Sequence, residues 1–304
     1  MGTQSPQILK PRKTRLELSI NFEQELSQRV KIVDLYLEKY IHDLNLPSGE
    51  AILELRRSMS YSATNGGKRF RPVLSILVAE LLGCPIDKIL PFATAIEFIH
   101  TYSLVHDDLP CMDNDDIRRG KPTNHKVFGE DMALLAGDAL LTEAFFLLAK
   151  AYSEDHLFLG PLVLLLSDAA GVRGMVGGQA IDLRAPETKF SVGELSHLHR
   201  LKTGALICAA IEGAALIARA NPPQVSSLRA FGQGLGLAFQ IADDILDHGE
   251  KDQDLRSFTG ALGVDGAQAY LKDVSSDALN SLRKLSAEAP LLEYLIDYNR
   301  NRKV

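Results

Sequence analysis

The chain has no tryptophan in 304 residues, and aromatic side chains make up only 7% of it. An aromatic-lined cavity is therefore not expected. It has three cysteines, Cys84, Cys111 and Cys208, widely separated and with no CxxC pair. That excludes a disulfide framework and a cysteine zinc site, and fits a reducing, cytoplasmic location. Positive charge is not in excess: the formal net charge is −6, which weighs against a nucleic-acid binder. The first nineteen residues carry basic side chains but no apolar signal core, and Pro6 breaks the myristoylation pattern behind Gly2. Residues 1–15 read as a flexible arm ahead of one domain, 16–304. No uncharged apolar run approaches the roughly 20 residues that span a bilayer. The richest, FLGPLVLLLSDAAG at 158–171, reads as a buried helix, so no transmembrane segment is expected. Long alternating apolar–polar runs, linkers rich in Pro and Ser, and internal repeats are also missing.

Apolar residues instead recur at spacings of three and four nearly throughout. The expected fold class is all-α, a single large helical bundle of roughly ten or more helices around a central cavity. Helices are expected over 22–45, 72–83, 87–108, 131–152, from a Ser191/Glu194 capping box to about 218, and over 224–247. Pro72 is expected to open its helix, and Gly83 and Pro85 to close it. The most loop-like stretches are 109–128, 183–192 and 248–262.

Two acidic clusters interrupt this apolar background. DDLPCMD holds Asp107, Asp108 and Asp113; DDILD holds Asp243, Asp244 and Asp247. Crowded carboxylates repel unless a cation binds between them. Asp243 and Asp247 lie four apart, on one helix face, while Asp244 points elsewhere. Such a pair suits Mg²⁺, which keeps several waters and takes further oxygens from phosphate. A lone DDxxD is more often a solvated helix end, but this one ends the strongly apolar run GLGLAFQIA. In the first cluster Pro110 breaks the helix after Asp107, so Asp113 must return through a curled turn. Arg118 and Arg119 follow, and guanidinium matches phosphate as a bidentate fork.

GGKRFRP, Gly66 to Pro72, sets three cations beside two glycines ahead of a helix, a suitable approach for an anion. It is not a Walker A loop, since no Ser or Thr follows the lysine. His100 stands two helical turns before Asp107 on the same face. Lys202 and Thr203 lie at a polar-to-apolar border, and Gln240 precedes Asp243 by just under one turn. Each feature alone has an ordinary explanation: a surface ion-pair loop, a structural histidine, a snorkelling lysine or a satisfied buried amide.

Together, GGKRFRP, His100, DDLPCMD with its arginines, GGQAIDL (Gly177 to Leu183), LKTGAL and FQIADDILD resemble the trans-isoprenyl diphosphate synthases from about residue 25 to 250. The first acidic motif, with its two inserted residues, is similar to that of short-chain bacterial and plastid-type members. The resemblance implies an isoprenoid-synthase bundle, a homodimer, and Mg²⁺, about three ions per site. It implies that Lys68, Arg71, His100 and Arg119 hold isopentenyl diphosphate. It implies that Asp107, Asp113 and Asp243, supported by Asp247, are metal ligands. Arg118, Lys202 and Gln240 would face the allylic diphosphate, with Thr203 beside its cation.

Tyr102, five residues before Asp107, resembles the aromatic block of farnesyl-length bacterial enzymes. That favours a C15 product, with a C20 geranylgeranyl product as the alternative. After DDILD the family usually has a longer loop with a Gly-Lys; here HGEKDQDLRSF is shorter and lacks it, leaving Lys251 or Arg256 as substitutes. A class I terpene cyclase would be expected to carry an Asn/Ser/Glu second motif in place of DDILD. A non-catalytic regulatory subunit would be expected to have degraded aspartates, and both clusters are intact.

Overall fold

The computed structural model describes residues 15–155, 157–185, 189–248, 256–285 and 287–300, with side chains from residue 22 onward. The described residues form an all-α bundle; the only strands among them are the two-residue β1 (Ile117–Arg118) and β2 (Lys121–Pro122). The expected arm at 1–15 lies almost wholly outside the described residues. So does Lys251.

The centre is built by three helices. α3 (Phe70–Leu81) and α4 (Ile86–Asp107) pack against each other, and both pack against α10 (Ala205–Ile217). Their apolar residues leave almost no polar face: Leu74, Ile76, Val78, Ile89, Phe92, Ile96, Ile99, Leu206 and Ile211 are fully buried. Burying each such side chain contributes roughly 1.5–3 kcal/mol. Around them lie α1 (Arg15–His42), α2 (Glu50–Ala63), α5 (Asn124–Phe128), α6 (Glu130–Ala151), α7 (Leu159–Ala170), α8 (Met175–Leu183) and α9 (Val192–His199). α11 (Pro222–Leu246), α12 (Phe258–Leu282) and α13 (Pro290–Arg300) complete the set.

Several boundaries differ from expectation. α2 has no counterpart among the expected helices. α3 begins at Phe70, two residues before Pro72, because Arg69 itself takes the N-cap position with φ 45°. The stretch 248–262 is not all loop: α12 starts at Phe258, where Ser257 caps Gly260 N–H at 3.0 Å. The helix expected from 192 to 218 is broken by a five-residue π-turn, Arg200–Gly204. The capping box at Ser191 and Glu194 forms as expected, and Asn221 with Gln224 forms a second one at the start of α11.

The stretches Glu130–Ala151 and Leu159–Leu183 are long and apolar enough to cross a membrane by length and composition alone. Counting only uncharged runs overlooked them, because Asp138 and Glu143 interrupt the first. Glycines at 171 and 174 separate α7 from α8 in the second, and α6 buries Ala133, Ala136, Leu140, Ala144 and Leu147 in the bundle. Their outer faces expose Leu134, Leu135, Phe146, Leu164 and Val176.

Candidate active site

A cavity of about 410 Å³ opens between α4, α8 and the π-turn. Its polar lining includes Arg71, His100, His106, Asp107, Gln179, Lys202 and Thr203, and its apolar lining includes Tyr102, Met112, Met175, Val176 and Leu183. Six of the residues expected from sequence therefore meet in one place: Arg71, His100, Tyr102, Asp107, Lys202 and Thr203.

One end is cationic. Burial, with Arg119 nearby, lowers the Arg71 guanidinium to about 10, against a smaller opposing pull from Glu97. Its Nε is buried with no hydrogen-bond partner. Burial also lowers Arg119, and burial with the surrounding arginines 71, 119, 118 and 69 drives His100 well below its ordinary value. His100 is thus neutral at pH 7, near Arg71 and Arg119, which form no ion pair among the described residues, whereas Arg69 and Arg118 are paired with carboxylates. An anion bound there would supply counter-charge.

The other end is acidic. α4 stops at Asp107, and Pro110 turns the chain back: Asp113 N–H donates to the Asp107 carbonyl at 2.8 Å, and Asn114, with φ 54°, donates to Leu109 O at 3.1 Å. The curled turn expected from sequence is present. Burial raises Asp107 to about 6, opposed by Lys202 and reinforced by Asp113. Gln179 Nε2 donates to Asp107 Oδ1 at 3.0 Å, and Lys202 Nζ pairs with Asp182 at 2.5 Å.

These contacts depend on a close approach. At Gly178 an added Cβ would overlap the backbone of Lys202, so α8 can lie against the π-turn only because that position has no side chain. The π-turn gives Lys202 and Thr203 a position that a continuous α-helix would not. Gly178→Ala is expected to cut turnover at least about tenfold by pushing α8, and with it Gln179 and Asp182, off the turn. Steady-state kinetics beside a thermal melt would measure it, and unchanged turnover would contradict the packing argument.

The remaining expected residues lie elsewhere. Arg119 Nη1 donates to Gly66 O at 2.6 Å, and its guanidinium occupies the space beside Gly67. Arg118 is committed to Asp108 at 2.6 Å and Asp115 at 3.2 Å. Both arginines line a small neighbouring cleft with Asn65, Thr101 and Leu104, the last of which also lines the 410 Å³ cavity. Lys68 is exposed and lines a separate apolar cavity with Phe70, Phe239 and Leu295. The Phe70 and Phe239 rings stand 5.4 Å apart, bringing the GGKRFRP loop to α11 one residue before Gln240.

Asp243 and Gln240 are half-buried near the end of α11. Asp247 is exposed just past it and donates its N–H to Asp243 O at 2.9 Å. Neither aspartate lines the 410 Å³ cavity. Asp244 indeed points elsewhere: its carboxylate accepts from Phe258 N–H at 2.7 Å at the start of α12.

Among the described residues, no three Asp, Glu, His or Cys side chains close around a single metal position. That is compatible with Mg²⁺, which is held by one or two carboxylates plus substrate oxygens rather than by an all-protein cage. The donor set fits: Asp107 resists ionisation through burial and the nearby Asp113, and a divalent cation between them would favour both charges.

The polyprenyl synthetase family model matches residues 53–260. The chain belongs to the polyprenyl synthetase family. Its relatives in this family include the farnesyl diphosphate synthase of Geobacillus stearothermophilus, 40% identical over 91% of this chain and 97% of that one. A chloroplastic geranylgeranyl pyrophosphate synthase of Catharanthus roseus is 42% identical over 79% of this chain and 72% of its own. The structure of an FPP/GFPP synthase from Zymomonas mobilis superposes with a TM-score of 0.84 at 36% identity, covering 91% and 99%.

Reading the motifs of this polyprenyl synthetase in sequence assigned no role to Gln179, although GGQAIDL was recognised as a motif; its position three residues before Asp182 was the available signal. Asp182, Glu97 and Asp34 had none, because each meets its partner across helices.

Proposed function

We propose that this polyprenyl synthetase condenses isopentenyl diphosphate with dimethylallyl and geranyl diphosphates, giving chiefly (2E,6E)-farnesyl diphosphate. The protein is a prenyltransferase: an allylic diphosphate ionises, the isopentenyl double bond attacks the cation, and proton loss restores an alkene. The observation that carries this reading is the cavity that brings Arg71, His100, Asp107, Lys202 and Thr203 together beside an apolar wall carrying Tyr102.

Arg71, with neutral His100, Arg119 and Lys68, binds the isopentenyl diphosphate, the anion relieving the crowding at Arg71. Asp107 and Asp113, with Asp243 and Asp247 from α11, would hold Mg²⁺, about three ions, which when bound neutralise the leaving diphosphate. Lys202 faces the same leaving group, and Arg118 reaches it by exchanging Asp108 for phosphate. Thr203 and Gln240 lie beside the allylic cation and offer oxygens that are not alkylated. The apolar lining keeps water from the cation. No side-chain nucleophile takes part.

Residues 16–304 act as one catalytic domain. The exposed apolar faces of α6, α7 and α8 support a homodimer, in which a second copy covers Leu134, Leu135, Phe146 and Leu164. The free thiols of Cys84, Cys111 and Cys208 support a cytoplasmic location.

The assignment is tested by incubating the protein with Mg²⁺, labelled isopentenyl diphosphate and each starter, then sizing the products. No elongation with any starter refutes it. Tyr102 is buried in the cavity wall, which supports C15 over C20. Tyr102→Ala is expected to shift the main product from C15 to C20 or longer. An unchanged chain length would remove Tyr102 as the stop.

A further inference from the structure

Behind Tyr102 stands a second group that the chemistry above does not use. The His106 imidazole meets the Tyr102 ring edge-on, with centroids 5.8 Å apart and planes at 76°. On its other side it lies against α6 at Gly137, where an added Cβ would overlap Nε2, Cδ2 and Cε1. Nε2 is 3.0 Å from Leu134 O. A carbonyl only accepts, so Nε2 carries the proton in this contact. The Asp138 carboxylate, 3.9 Å away, faces the same nitrogen. The imidazole is thus wedged between the backbone of one helix and the aromatic ring of another, and both His106 and Tyr102 line the cavity.

We infer that His106 and Gly137 form a spacer that sets product length by holding the Tyr102 ring across the cavity. Gly137 provides the depth in which the imidazole lies, and the contact with the Leu134 carbonyl holds its rotation. The ring of Tyr102, one turn earlier on α4, cannot then swing toward α6. His106 is a positioning residue: it touches the group that stops the chain. The inference rests on the prenyltransferase reading and adds to it a determinant of specificity.

Two opposite changes follow. His106→Ala empties the space beside Tyr102, lets the ring move toward α6 and deepens the cavity. Gly137→Ala drives the imidazole toward Tyr102 and shortens it. A hydrophobic pocket discriminates one methylene by roughly 10–200-fold, so an ångström-scale shift in a blocking ring is expected to move product ratios at the lower end of that range.

The experiment measures isopentenyl incorporation and product length together, with Mg²⁺ and geranyl or dimethylallyl diphosphate. For His106→Ala the C20-to-C15 ratio is expected to rise about tenfold. For Gly137→Ala the C10-to-C15 ratio is expected to rise from the dimethylallyl starter. In a Tyr102→Ala background, His106→Ala is expected to add no further lengthening, since the group it positions is gone. Where either single variant fails to fold, the pair His106→Ala/Gly137→Ala places a methyl in the vacated space and is still expected to lengthen the product.

A length profile unchanged in the His106 variant and in the pair overturns the inference. So does additive lengthening in the Tyr102→Ala background, or a pair that does not fold, since His106 would then serve packing alone. Absence of incorporation by the unaltered protein would instead refute the prenyltransferase reading itself.

Discussion

Asp107→Asn is expected to lower turnover by at least about a thousandfold, or about 4 kcal/mol of transition-state stabilisation, since it removes a carboxylate proposed to hold Mg²⁺ against the leaving diphosphate. The same substitution is expected to leave the metal-free protein no less stable, and slightly more so at neutral pH. Burial is the main reason its carboxyl is raised from 3.8 to about 6, with Asp113 adding to it and Lys202 opposing.

The sign follows from proton binding. Between about pH 4 and 6 the folded form holds a proton that the unfolded chain has lost, so stability present below the ordinary carboxylate range is lost as pH rises through 6. Asparagine removes that penalty and keeps an oxygen for the Gln179 amide. Thermal melts at pH 7, with and without Mg²⁺, measure the trade. The unaltered protein should gain stability from Mg²⁺, and the variant should gain less. At low Mg²⁺, turnover of the unaltered protein should climb through pH 6 toward a plateau, and saturating Mg²⁺ should move that limb to lower pH. A variant keeping a tenth of the activity would remove Asp107 from the centre of the site.

Arg69→Met is expected to destabilise the fold by roughly 3–5 kcal/mol, the usual cost of leaving a buried partner without its opposite charge. Arg69 is 2% exposed and has three commitments: Asp34 at 2.7 Å, Glu97 at 2.8 Å and the Ala63 carbonyl at 2.7 Å. It therefore ties α1, α2 and α4 to the GGKRFRP loop. Glu97 is also 2% exposed, and removing Arg69 would strand its carboxylate in the core.

Urea unfolding would register the loss. The double replacement Arg69→Met/Glu97→Met should recover much of it, because matched apolar side chains remove both desolvation costs. A single variant within 1 kcal/mol of the parent, on the scale of a surface pair, would show that the network holds little. If the variant folds, its affinity for isopentenyl diphosphate should suffer indirectly, since the loop that carries Lys68 and Arg71 would lose its anchor.

Arg69 also shows where sequence reasoning stops. In GGKRFRP the three cations look alike, and only their setting separates Lys68 on the surface, Arg69 in an ion-pair network and Arg71 at a cavity wall. Arg118 is similar: its spacing after the acidic motif suggested a phosphate ligand, while its bond to buried Asp108 holds the loop in shape. The break at Arg200–Gly204 was invisible because the residues around it keep a helical apolar pattern. The tight packing of Gly178 and Gly236 against this turn, rather than any residue inside it, accompanies the π geometry.

The sequence by itself determined the fold class, the family and the local geometry of the two acidic motifs. Those depend on local terms: helical periodicity, a proline that ends α4 after Asp107, and carboxylates four apart near the end of α11. Only the tertiary structure decided that Gln179 steadies Asp107, that Asp182 holds Lys202, that Glu97 balances Arg69, and that His106 fills the depth at Gly137 behind Tyr102. Spacing along a chain specifies neighbours within one helix. Which side chains face each other across helices depends on how closely two backbones approach, and that is set by packing that no single segment encodes.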